Sequence, residues 1–373
     1  MIVVRGMTER CCLVMFLDAI TKKGYQSISF IGMAKNVGKT TAFNYLLKEC
    51  FQNDYPIGIA SLGRDGEKKD LIFACDKPRI WIERGTIAAV AMETIIQNNF
   101  PLEILEDTGY SSSLGQIYIT KAKGSGYVEI ATTPSSRKMR HIIKLMKAYG
   151  ARLIIVDGAL DRVSSSAPEV TDCTILATGA SLHPSMEQVI RRTTARVQQL
   201  TLPTIKHNMS FLNINEVIES SQSPLIIGQE GLVVTMGKES LSYEKQLFSF
   251  LNKQKINYVY INGAVVDGLL KFFISNKWSL QNTTLIIKNG SNILVDHLTW
   301  EKYLKYHGNI SVTKPINLIA LTCNSTSHKG DTFPPEEFAK RLSESIGDTT
   351  VVDVAMNIKE RVKVQNNLKL GCI

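Results

Sequence analysis

The chain has no apolar run long enough to cross a bilayer, so no membrane partner is expected. It also has no block of five or six like charges, although 43 Lys and Arg stand against 34 Asp and Glu for a formal net charge of +9. Charge spread in this way reads as a lysine-rich surface. A nucleic-acid-associated ATPase would need a basic face with interleaved aromatics, and none is found, so nucleic acid is an unlikely partner. The seven cysteines form no C-x-x-C pair and are odd in number. That argues against a disulfide framework or a zinc site and for reduced thiols in a cytoplasmic protein. The six histidines show no metal-binding spacing.

What remains is ordinary for a chain able to bury a core: 44% hydrophobic and 21% charged residues over 373 positions. That length exceeds one average domain. Apolar runs at 26–31, 57–62, 152–156 and 174–178 read as buried strands, and 40–50, 135–149 and 184–200 carry apolar residues at helical spacing. Residues 80–98 suggest a strand or turn followed by a helix. Strand candidates follow at 102–106, 116–122 and 128–132. This alternation predicts an α/β fold with a mostly parallel sheet and a second, smaller α/β half. The polar stretch 203–230, with Pro203, Ser220, Ser221, Ser223 and Pro224, is the best boundary. The expected organisation is an N-terminal extension (1–24), a nucleotide-binding domain (25–202), a linker (203–230) and a C-terminal α/β domain (231–373). Self-association as a homo-oligomer is left open.

The chemistry centres on Gly32-Met-Ala-Lys-Asn-Val-Gly38-Lys39-Thr40-Thr41, which follows a strand-like run and opens a helix-like one. A P-loop works because backbone N–H groups in a concave turn, together with the N-terminus of the next helix, receive phosphate oxygens. On this reading Gly32, Asn36, Val37, Gly38, Lys39, Thr40 and Thr41 cradle ATP or GTP. Lys39 reaches the β/γ-phosphates, and the Thr40 hydroxyl ligates Mg²⁺. The common spacing G-x-x-x-x-G-K-T would place glycine at 33, where Met33 stands, so here five residues separate the two glycines. Lys35 adds a second cation that could supply charge to the transition state. Asp157, delivered by the strand 152–156, is the best acid for holding Mg²⁺, with Asp107 as its rival and Asp161 less favoured. After the strand 57–62, Asp65 or Glu67 could position water or substrate, with Arg64 as an anion contact. Thr178 to Ser181 could contact base or ribose.

The longer spacing resembles the G-x-x-x-x-x-G-K-T loop of dethiobiotin synthetase and its relatives among the P-loop NTPases. Lys35 loosely resembles the extra loop lysine of related ATPases that pair across a dimer, offset by one position. Taken with Gly63-Arg-Asp-Gly-Glu67, Val156-Asp-Gly-Ala-Leu160 and Thr174-Ile-Leu-Ala-Thr-Gly-Ala180, the loop looks like that of the non-MutS subunit of the lysine 5,6-aminomutase reactivase. The resemblance covers roughly residues 26–181. It implies a chaperone-like factor that uses nucleotide to release damaged cobalamin from lysine 5,6-aminomutase, with a MutS-like ATPase subunit as partner. The alternative is a dethiobiotin-synthetase-like ligase that phosphorylates a small carboxylate. That family has Lys-Pro after its second strand, whereas Ala60-Ser-Leu-Gly-Arg64 has neither residue.

Overall fold

A computed structural model describes residues 16–62, 80–133, 135–158, 166–205, 214–221, 223–228, 233–235, 256–275, 283–354 and 358–360. The chain divides into two units: residues 1–190 with 318–373, and residues 191–317.

The first unit begins with helix α1 (Phe16–Lys22), strand β1 (Ser27–Gly32), helix α2 (Lys39–Gln52) and strand β2 (Ile57–Leu62). Strands β3 (Ile80–Ile82) and β4 (Ile87–Ala91) lead into α3 (Met92–Gln97). A long hairpin, β5 (Leu102–Ser112) and β6 (Gly115–Ala122), precedes the short strands β7 (Gly126–Val128) and β8 (Thr132–Thr133). Helix α4 (Ser136–Ala148), strands β9 (Leu153–Gly158) and β10 (Cys173–Gly179) follow, and then helix α5 (Met186–Leu200), whose residues from Arg191 on belong to the second unit.

The interior strands carry near-continuous apolar runs because both of their faces are covered. In β9, Leu153 and Ile155 pack with α1 and α2, while Ile154 and Val156 pack with Met139, Ile142, Ile143 and Met146 of α4. Side chains alternate along a strand, so Asp157 belongs to the α2 side of the sheet. Helix α2 buries Ala42, Phe43, Leu46, Leu47 and Cys50, a stripe of helical period on that same side.

The second unit contains α6 (Ile214–Ser220), β11 (Leu225–Gly228), β12 (Val233–Thr235), β13 (Ile256–Ile261), β14 (Val265–Val266) and α7 (Asp267–Ser275). Strands β15 (Thr284–Ile287) and β16 (Ile293–Leu294), helix α8 (His297–Lys305) and strand β17 (Asn309–Val312) complete it. Its sheet runs β12-β11-β13-β15-β17. Leu270, Phe273, Trp300 and Tyr303 of α7 and α8 cover one face, and Ile218 of α6 lies on the other. Arg196 is half-buried here, donating from Nη1 to the Ile293 carbonyl (2.9 Å) and Gln199 (2.8 Å), and the loss of water around it pulls its pKa down to about 10.

The chain then returns to the first unit as β18 (Leu318–Asn324), α9 (Pro335–Ile346), β19 (Thr350–Asp353) and β20 (Ile358–Glu360). The resulting eleven-stranded sheet has the order β20-β19-β18-β10-β1-β9-β2-β4-β6-β5, with β8 on β2. It is parallel from β19 through β4 and antiparallel at both margins. The class is therefore α/β with a large, mostly parallel sheet, as the strand–helix alternation predicts.

The division of the chain departs from the expected one. Residues 203–230 include α6 and β11 and so are not a linker, and 231–373 do not form one domain, because β18 pairs with β10 over Thr174–Gly179 and continues the main sheet. The segment 1–24 is more than an extension where it is described: Phe16, Leu17 and Ile20 of α1 are buried in the main core. Residues 80–91 supply two strands where one was expected, since the alanine-rich β4 is buried at every position. Among the described residues, no helix is long and apolar enough to cross a membrane.

Candidate functional site

Strand β1 sits between β9 and β10, two strands that follow it in sequence, so its carboxyl end opens at a reversal of strand order. Such a crevice is where open α/β sheets place ligands. Beyond Gly32 the chain stays tethered for one more residue, as the Met33 N–H donates to the Ala177 carbonyl at 2.9 Å. It then curls back through two left-handed residues, Asn36 (φ 60°) and Gly38 (φ 92°). Asparagine tolerates that region and glycine enters it freely. Val37, between them, is buried and anchors the curl.

Helix α2 starts at Lys39 directly from Gly38, which offers no side-chain cap, and no acid stands in the first turn. The first hydrogen bond of the turn runs from the Ala42 N–H to the Gly38 carbonyl (3.0 Å). The N–H groups of the opening turn therefore have no acceptor within the helix, and no acid of the helix's own first turn offsets the positive end of its dipole. Thr40 and Thr41 are exposed in that turn. The arrangement can receive an anion.

Lys39 and Asp157 meet at this edge. The Lys39 side chain is only 13% exposed, and its Nζ donates to Asp157 Oδ1 and, at 2.5 Å, to the Gly158 carbonyl. The register explains the meeting: Asp157 lies opposite Phe30 of β1 and Ser61 of β2, one step short of the strand end, on the face covered by α2.

The opposite wall comes from β10 and β18. Ser181 Oγ donates to the Asn36 carbonyl at 3.1 Å, and the His328 N–H and Nδ1 both lie 3.4 Å from that hydroxyl. Asn324 packs against both glycines. A Cβ at Gly179 would sit 2.5 Å from the Asn324 carbonyl oxygen, and one at Gly38 would sit 3.3 Å from the Asn324 Cβ. Glycine at 179 is thus dictated by backbone approach, not by φ. The Asn324 Oδ1 accepts from the Thr326 N–H (3.1 Å), folding the next loop back on itself.

Of the residues singled out in the sequence, the structure brings together Gly32, Asn36, Val37, Gly38, Lys39, Thr40, Thr41, Asp157 and Ser181. Lys35 is exposed at the tip of the same loop. Asp65, with Arg64 and Glu67, lies outside the described residues, as does Asp161. Asp107 is not at the site: it is on β5, the last strand of the sheet, accepting from Gln116 Nε2 and the Gly109 N–H at 2.8 Å. Those bonds, Gln116 first, hold its carboxyl below the usual range. Asn324 and His328 were not anticipated. Their signal was an apolar strand running into Asn-Ser-Thr-Ser-His, obscured by the 191–317 unit that separates it from the loop it touches.

Mg²⁺ prefers one or two carboxylates completed by phosphate and water over a cage of protein ligands. The site fits that habit. Asp157 supplies one carboxylate, bonded to Lys39, and the neighbouring Thr40 leaves its side chain exposed in the opening turn of α2. No family model, no curated protein and no solved structure matches this chain.

Proposed function

We propose that the chain binds a nucleoside triphosphate, ATP or GTP, with Mg²⁺ at residues 32–41, and hydrolyses it slowly. The single observation that supports this is Lys39 held by Asp157 and the Gly158 carbonyl at the mouth of an uncapped, acid-free helix start. On this reading Lys39 would leave Asp157 for the phosphates, and Thr40 and Asp157 would hold the metal. Mg²⁺ when bound neutralises charge developing on the transferred phosphoryl group. Lys39→Ala should weaken nucleotide affinity by roughly 2–4 kcal/mol, the range for removing one partner of a buried charged contact. Calorimetric titration of ATP and GTP with and without Mg²⁺ reads this, and unchanged affinity refutes the assignment.

For what the nucleotide drives, we propose a reactivating factor for adenosylcobalamin-dependent lysine 5,6-aminomutase, acting with a MutS-like ATPase subunit. This reading rests on the motif resemblance over residues 26–181. Its physical requirement is ordinary coupling: the triphosphate and diphosphate states must bind the client with different affinities. The ligase alternative keeps the loop spacing in its favour and lacks the Lys-Pro pair after β2. Rapid phosphorylation of a small carboxylate by this chain alone would select it.

A further inference from the structure

Helix α4 carries Arg137, Lys138, Arg140, His141, Lys144 and Lys147 and no acidic residue. Arg137, Arg140 and Lys144 are exposed, and their i, i+3, i+7 spacing lines them up along one outward stripe opposite the buried Met139, Ile142, Ile143 and Met146. Among the described residues none of these three cations has a carboxylate partner. Elsewhere in the unit, Arg341 of α9 is paired with Glu187 and lies 3.9 Å from Glu337.

The stripe opposes the stability of its own helix. Arg140 and Lys144 are like charges at i, i+4, and Arg137 stands in the first turn, where the helix dipole favours anions. A row of cations that costs the free helix something is explained by a partner that neutralises it. The flanks narrow the partner's chemistry. Tyr110 of β5 is already engaged, its hydroxyl 3.0 Å from His141 Nδ1 and its ring 5.1 Å from Lys138 Nζ, so a base stacking on it would compete with a cation of the same helix. Tyr149, at the end of α4, donates to the Leu105 carbonyl (3.2 Å), which brings the acidic strand with Glu106 and Asp107 alongside. A long polyanion laid along α4 would run beside those carboxylates, whereas a short acidic segment, about 15 Å for one helical stretch of ten residues, would end with the stripe.

We infer that the outer face of α4 docks an acidic polypeptide segment of a partner protein, with Arg137, Arg140 and Lys144 as its anchor row. The inference does not depend on nucleotide binding. The test titrates a labelled poly-glutamate peptide of about 20 residues against the full chain. It compares Arg137→Gln/Arg140→Gln/Lys144→Gln with a control triple that removes three exposed lysines from the other unit, Lys271→Gln/Lys302→Gln/Lys305→Gln. Glutamine keeps helix propensity. The α4 triple should bind roughly tenfold more weakly, as three exposed pairs of about 0.5 kcal/mol each predict, and the control triple should stay within about twofold of the parent. The α4 triple should also melt no lower than the parent, because it relieves like-charge repulsion. Should it fail to fold, the single changes Arg140→Gln and Lys144→Gln must each still weaken binding more than Lys302→Gln does. Equal losses in both triples would reduce the effect to net charge and overturn the inference. So would a single-stranded or duplex oligonucleotide of similar length binding more tightly than the peptide through the same three residues.

Discussion

Lys39 and Asp157 form a pair whose two members have separable duties, and single substitutions distinguish them. Asp157→Asn removes the carboxylate that holds Lys39 and would hold Mg²⁺. It should abolish hydrolysis far more than binding, since the metal mainly stabilises developing charge. Asp107→Asn should leave both unchanged, because that carboxylate is engaged with Gln116 and Gly109 on the last strand of the sheet. If hydrolysis instead followed Asp107, the metal assignment would fail. A second residue-scale expectation concerns the thiols. Burial, aided by the neighbouring Glu49, pushes Cys50 up to about 12, and burial likewise raises Cys173. Both should resist iodoacetamide at pH 8 in the native protein and react once it is unfolded; labelling of folded protein at Cys50 would contradict the packing. A thiol whose folded pKa exceeds its ordinary value of 9.0 stabilises the fold fully below that pH, and the contribution is lost as pH rises from about 9 towards about 12.

Helix α1 shows how one element depends on another. The N–H groups of Phe16 and Leu17, the first described residues of α1, each donate to Glu49 Oε2 of α2 at 3.0 Å, so a buried carboxylate from a different helix accepts from the opening turn. Glu49→Ala leaves those donors buried without an acceptor and should cost about 1–3 kcal/mol, read by chemical denaturation. Glu49→Gln, which keeps one acceptor oxygen, should cost less. A loss equal for both substitutions would mean that charge, not the cap, matters. This contact also marks where sequence reasoning stops. The spacing of Gly32, Gly38, Lys39 and Thr40 is local, and so the loop, its flanking strand and its helix were legible. The apolar run ending at Asp157 was legible because β9 is buried on both faces and a charge at its end has few places to go. Glu49 reads only as one more polar residue on an amphipathic helix, since its partner lies at 16–17. Strand β4 reads as helical because alanine suits a helix better than a strand, and only burial on both faces overrides that preference. Asn324 and Gly179 meet across β10 and β18, a pairing that no local pattern encodes.

The whole molecule assembles the candidate site from segments far apart in sequence. The loop after β1, the end of β9, the turn after β10 and the loop after β18 all converge there, and residues 191–317 are inserted between the last two. That insertion has its own sheet and its own core. In sequence it follows β10, after which Ser181 donates to the Asn36 carbonyl, and precedes β18, whose Asn324 packs on Gly38. A factor built this way should turn over slowly alone and faster when a client or partner ATPase completes the site, because only differential affinity for two nucleotide states does work on a bound protein. Steady-state hydrolysis by the purified chain should accordingly rise when lysine 5,6-aminomutase and the MutS-like subunit are added together. Mutase that has lost activity should recover only with hydrolysable nucleotide and with Lys39 intact. If hydrolysis is unaffected by either protein while Lys39→Ala still loses nucleotide, the P-loop assignment survives and the reactivase reading does not. Recovery of the mutase with the Lys39→Ala variant would break the link between the nucleotide site and the chaperone role altogether.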